Sequence, residues 1–171
     1  MSPWTAASRK AEMDERIRSI EGELTARGLR VGLVAARFND FIVDRLLAAA
    51  IDTLLAHGAE PGDLQTVRVP GAYEMPVVVR KMAESKRYDA IVALGCVIRG
   101  ATPHFDYVAG EASRGIARVG LEHGIAIGFG VLTVETLEQA IERAGSKAGN
   151  KGADAALAAI QTASVLRQLE A

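Results

Sequence analysis

The sequence is short of the residues from which many kinds of site are built. It has one cysteine, Cys96, three histidines and one tryptophan in 171 residues. A lone thiol cannot close an intrachain disulfide, which excludes a disulfide-stapled scaffold and fits a reducing compartment. A zinc centre needs three or four protein ligands; His104 and Asp106 offer two at most, so no metal is expected. Nor is there an excess of positive charge, with 20 basic against 21 acidic side chains. That balance excludes a broad nucleic-acid or membrane-surface footprint, so any anion site must be local. No apolar run reaches the ~18 residues of a membrane span. Residues 1–16 are polar and lack the apolar stretch of a secretory signal. The expectation is a cytoplasmic protein with no membrane or nucleic-acid partner.

What the chain does have is patterned hydrophobicity, 49% of its residues. Val31–Ala35, Thr66–Val69, Ala90–Gly95 and Ile125–Val131 are apolar without alternation, as in parallel strands buried on both faces. Helical periodicity fills the gaps. Phe41, Ile42, Leu46, Leu47, Ala50, Ile51, Leu54 and Leu55 mark one face, with Asn39 as cap and Gly58 as stop. A second helix runs over about 72–85, with Pro76 in its first turn, and a third over about 105–123, ending at Gly124. Thr133 is placed as the cap of a fourth helix that stops near Gly145. The last covers about 153–168, with Ala156, Leu157, Ile160 and Ala163 inward. Strands alternating with helices give an α/β layered fold. Ligands in such folds bind beyond the carboxyl ends of the strands, here Arg37–Asn39, Pro70–Glu74, Cys96–His104 and Val131–Thr133.

His57 and His123 each precede a glycine at a helix end, where a cation is suited to the dipole. His104 instead follows a strand end and a glycine-bearing turn, and can donate and accept protons near neutrality. The stretch Arg143-Ala-Gly-Ser-Lys-Ala-Gly-Asn-Lys-Gly152 carries three cations and three glycines before a helix. It reads as an anion site or as a solvated loop. Phe38 could stack on a flat heterocycle or staple the next helix. Glu74 could accept ligand N–H groups or stabilise a helix start. Neither a Walker loop nor a strand-borne G-x-G-x-x-G is present, which counts against a nucleotide-binding flavodoxin-like module. The residues alone point to condensation or elimination on a small phosphorylated substrate.

Arg37-Phe-Asn-Asp40, Val69-Pro-Gly-Ala-Tyr-Glu-Met-Pro76, Gly95 to Val108 and Arg143 to Gly152 together resemble, in order and spacing, the 6,7-dimethyl-8-ribityllumazine synthases. The resemblance covers about 20 to the C-terminus. It implies a single-domain, three-layer αβα sandwich with a four-stranded parallel sheet, flavodoxin-like, over residues 17–171, preceded by a flexible extension, 1–16. It implies condensation of 5-amino-6-(D-ribitylamino)uracil with 3,4-dihydroxy-2-butanone 4-phosphate, with loss of phosphate and water and no cofactor. By resemblance, Phe38 stacks on the pyrimidine, and Ala72, Tyr73 and Glu74 contact the ribityl chain and uracil. Cys96, Val97 and Ile98 bind uracil through backbone groups. Ala101, Thr102 and Arg143 hold the phosphate, and His104 transfers protons. Phe129, from a neighbouring subunit, and Lys151 complete the pocket, while Asp154 pairs with His104 or with substrate. Tyr73 stands where phenylalanine is frequent, and Ala101 where some members carry an acid.

The family forms pentamers, and some members assemble sixty subunits into an icosahedral shell. The short stretch 143–151 favours the shell. Local propensity makes 12–24 a weak helix, but the family has an extended segment at 20–24 that joins a neighbour's sheet, and the extended form is expected. The competing reading is a non-catalytic cage or carrier of the same fold.

Overall fold

The computed structural model describes residues 17–171; the expected extension, 1–16, lies outside the described residues. All four expected strands form: β1 (Val31–Ala36), β2 (Leu64–Val69), β3 (Ala90–Ile98) and β4 (Ala126–Val134). They pair in parallel in the order β2-β1-β3-β4. β1 is buried throughout, and β3 from Ala90 to Cys96, because these are the interior strands. The expectation of burial on both faces fails at the edges. β2 exposes Gln65, Thr66 and Arg68, and β4 exposes Phe129 and Thr133.

The helices are α1 (Asp40–Ala56), α2 (Met75–Glu84), α3 (His104–His123), α4 (Leu137–Arg143) and α5 (Lys151–Glu170). α1 and α5 cover one face of the sheet, α2 and α3 the other. Right-handed crossovers require this division. The step from β1 to β2 runs one way along the sheet; the steps from β2 to β3 and from β3 to β4 run the other way. The fold is therefore the expected three-layer α/β sandwich. Ile42, Val43, Leu46, Leu47, Ala50 and Leu54 bury the inner face of α1. Phe41 and Leu55, assigned to that face from sequence, are exposed.

Three local expectations need correction. Asn39 does not cap α1 with its side chain: it sits in the left-handed region (φ 59°), which asparagine tolerates. Its Nδ2 instead donates to the Cys96 carbonyl at 2.9 Å. Thr133 is no cap either. β4 runs on to Val134, and Thr133 pairs with Val97 inside it. The cap of α4 is Thr136, whose hydroxyl accepts the Gln139 N–H. Third, 143–152 is not a loop. Ala144–Ser146 (β5) and Gly149–Asn150 (β6) form a short antiparallel hairpin. Asn150 Oδ1 takes the N–H groups of Gly152 (2.8 Å) and Ala153 (3.3 Å), so the start of α5 is capped internally rather than left open for an anion. Its close seat on α1 requires glycine at 152, where a Cβ would lie 2.0 Å from the Leu46 carbonyl oxygen.

From Ile17 to Arg30 the chain has neither helix nor strand, as expected for an extended segment. It runs along α5: the Glu23 N–H donates to Ser164 Oγ (3.0 Å), and Gln168 Nε2 donates to the Glu21 carbonyl (2.8 Å).

Cys96 is buried, 3% exposed, and burial pushes its thiol up to about 11. The folded chain thus keeps this proton above the ordinary value of 9.0, while the unfolded chain loses it. Stability from this group is fully present below pH 9 and is lost as pH rises towards 11, a change of roughly 2–3 kcal/mol. In urea titrations the stability gap between the native protein and Cys96→Ala is expected to narrow across that window. A constant gap would contradict the assignment.

Candidate functional site

The sheet reverses its winding between β1 and β3, and a crevice opens at their carboxyl ends, as in other open α/β sheets. Pairing of β1 with β3 stops at Ala35–Leu94, whereas β3 continues beside β4 to Ile98–Val134. From Cys96 onward the β1-facing backbone of β3 is therefore released from the ladder, and Asn39 takes the Cys96 carbonyl. The chain leaving β1 stays tied to that leaving β2. The Arg37 N–H donates to Val69 O (2.8 Å) and the Phe38 N–H to Pro70 O (3.0 Å). Phe38 and 70–74 are in this way fixed beside the end of β3.

A cavity of about 620 Å³ occupies the crevice, large enough for a drug-sized ligand. Phe38, Ala72, Tyr73, Glu74, Cys96, Val97, Ile98, Thr102 and His104 line it, nine of the residues singled out from sequence. Phe38 is 72% exposed, so it is a free aromatic face and not a staple. Glu74 precedes α2 but makes no side-chain cap bond; its carboxylate is not consumed by the helix. His104 is the first residue of α3, exposed at the cavity rim. Thr102 stands just before that helix start, where unpaired N–H groups and the dipole favour an anion.

Four singled-out residues do not line this cavity: Ala101, Phe129, Arg143 and Lys151. Ala101 is exposed in the turn between Gly100 and Thr102. Phe129 is 46% exposed on the edge strand β4. Arg143 ends α4, its NH1 donating to the Gln139 carbonyl at 3.1 Å, and the hairpin that follows packs on α1. Lys151 Nζ pairs with Asp154 at 2.7 Å, so within one chain Asp154 pairs with neither His104 nor the cavity. A smaller groove of about 250 Å³ between the N-terminal segment and α5 holds none of these residues.

Sequence reasoning missed Phe105, Tyr107 and Val108, which also line the cavity. The signal was available: Tyr107 and Val108 lie three and four residues beyond His104, hence on its helix face. It also missed Arg99. This guanidinium bridges Asp106 (3.1 Å) and Glu135 (2.7 Å) and lies 4.2 Å from the Phe105 ring centroid. The carboxylates and their hydrogen bonds raise its pKa further. Among the described residues no group of three His, Cys, Asp or Glu side chains is placed to hold a metal ion, and no helix is long and apolar enough to cross a membrane.

Comparison with known proteins agrees with this geometry. The family model for 6,7-dimethyl-8-ribityllumazine synthase matches residues 28–167. A 6,7-dimethyl-8-ribityllumazine synthase of Nitratidesulfovibrio vulgaris (Miyazaki F) is 57% identical over 90% of this chain and 98% of its own. Those of the Hildenborough strain and of Desulfovibrio desulfuricans are 60% and 58% identical over the same shares. The chain belongs to the 6,7-dimethyl-8-ribityllumazine synthase family.

Proposed function

We propose that the protein condenses 5-amino-6-(D-ribitylamino)uracil with 3,4-dihydroxy-2-butanone 4-phosphate to 6,7-dimethyl-8-ribityllumazine, in the cytoplasm and without a cofactor. The carrying observation is that Phe38, the 72–74 turn, the released backbone of 96–98, Thr102 and His104 surround one cavity in a chain of this family. Phe38 offers a stacking face for the pyrimidine, and 96–98 offers backbone donors and acceptors for its edge. Glu74 and Tyr73 suit the hydroxyls of the ribityl chain. The uracil amine attacks the ketone carbonyl and water leaves, giving an imine. His104 takes a proton from the adjacent carbinol carbon as phosphate leaves the next carbon, giving an enol. It returns the proton to the terminal carbon, which becomes a methyl as the enol becomes a ketone, and the second nitrogen attacks that ketone and closes the ring with loss of water. Holding two substrates in one crevice contributes much of the rate.

The site is completed by an adjacent copy that brings Phe129, Arg143 and Lys151 to the cavity. Support comes from the exposed Phe129 on an edge strand, and from the position of Arg143 and Lys151 away from the chain's own crevice. The copies form a pentamer, and the short stretch 143–151 between the last two helices favours a sixty-subunit shell.

The test is to mix the purified protein with both substrates and follow lumazine fluorescence and phosphate release together. Both signals should rise in parallel. A protein that assembles and binds the uracil yet gives neither would be a cage or carrier, and would overturn the enzymatic reading.

A further inference from the structure

We propose that Arg99 is a positioning residue for His104, clamping the first turn of α3 to the ends of β3 and β4; this rests on the reading of His104 as the proton-transfer group. α3 starts at His104 without any side-chain cap, and the turn before it, 100–103, is exposed. A histidine placed there is only as well aimed as the turn that carries it. Arg99 supplies the missing restraint. Its backbone N–H donates to the Val134 carbonyl (2.9 Å), fixing it to the end of β4. Its side chain then reaches back across the turn. NH1 and NH2 grip both oxygens of Asp106 at 3.3 and 3.1 Å, and the guanidinium lies over the ring of Phe105. One planar group thus holds the two residues that follow His104, and Phe105 is itself a wall of the cavity.

The other arm ends on a fixed post. Nε donates to Glu135 at 2.7 Å, and the Glu135 N–H is held by Gln139 Oε1 at 2.9 Å. A single exposed ion pair contributes little. Here a bidentate fork, a second carboxylate and an aromatic face act on one side chain, an arrangement that lysine cannot reproduce. The expected consequence is catalytic, since a misplacement of about 1 Å at a reacting group can cost about a hundredfold in rate.

The experiment compares Arg99→Met, Arg99→Lys, Asp106→Asn and the Arg99→Met/Asp106→Asn double variant with the native enzyme. Arg99→Met should lower kcat about 10- to 50-fold, with KM for either substrate within about threefold. Arg99→Lys should recover less than half of the lost turnover, and the double variant should be no worse than Arg99→Met alone. Turnover of Arg99→Met within about twofold of native, full rescue by lysine, multiplicative losses in the double variant, or a rise in KM alone would each overturn the proposal. Should Arg99→Met fail to fold, Glu135→Gln removes one arm only and should lower kcat about two- to fivefold at unchanged KM; unchanged kcat would overturn it. Amide exchange at Asp106, whose N–H donates to the Pro103 carbonyl at 3.0 Å, gives a readout independent of activity. It should quicken about tenfold or more in the Arg99 variant, or in Glu135→Gln if that is the one that folds. If the native protein makes no lumazine, the enzymatic reading fails, and unchanged exchange would separately refute the clamp.

Discussion

Replacing His104 by alanine is expected to lower kcat for the condensation about ten- to a hundredfold, leaving KM for both substrates within about threefold. The factor sits at or below the low end of what a positioned acid–base group contributes, because two substrates held in one crevice react readily without it. KM should hold because binding falls to other groups: the Phe38 face, the Glu74 carboxylate and the backbone of 96–98, all around the same cavity. Steady-state assays with each substrate varied in turn check this. Unchanged turnover would remove His104 from the chemistry, and a rise in KM alone would make it a binding residue.

Arg143→Ala is expected to raise KM for the butanone phosphate about 10- to 100-fold, with KM for the uracil little changed. A guanidinium gives a phosphate two parallel charge-assisted hydrogen bonds. With water replacing part of what the guanidinium supplied, the net loss is about that of one such bond, about 1.5–3 kcal/mol, at about a tenfold change in affinity per 1.4 kcal/mol. Arg143 is available for this, since among the described residues of its own chain it makes only a 3.1 Å bond to the Gln139 carbonyl and a 3.8 Å contact with Glu142. Loss of the preference for the phosphorylated over the dephosphorylated ketone is the diagnostic sign. Equal dependence on the phosphate before and after substitution would contradict the role.

The layered fold was legible because buried parallel strands leave continuous apolar runs, and Val31–Ala35 and Ala90–Gly95 are the interior strands. The runs blur where burial ends. β4 continues through Leu132 to Val134 beside β3, so Thr133 resembled a cap although it lies in the ladder and Thr136 does the capping. The site was legible wherever the rule about strand ends applied, from Phe38 through 72–74 and 96–98 to His104. Partners distant in sequence were not. Asn39 and the Cys96 carbonyl are 57 positions apart, and Arg99 and Glu135 are 36 apart; no local pattern announces either contact. Phe129 rests on family resemblance, and Arg143 and Lys151 were legible only as cations of a candidate anion-binding stretch, because the chain's own crevice holds none of the three.

Mixing two damaged subunits tests most directly the claim that one chain supplies His104 and its neighbour supplies Arg143. Heterologous contacts around a ring present one surface of each copy to a different surface of the next. His104→Ala and Arg143→Ala proteins, unfolded and reassembled together, would therefore form some junctions with both native side chains. The account predicts that lumazine formation by the mixed assembly clearly exceeds the sum of the two variants reassembled separately. Activity equal to that sum, with mixed assembly verified by native mass spectrometry, would contradict it.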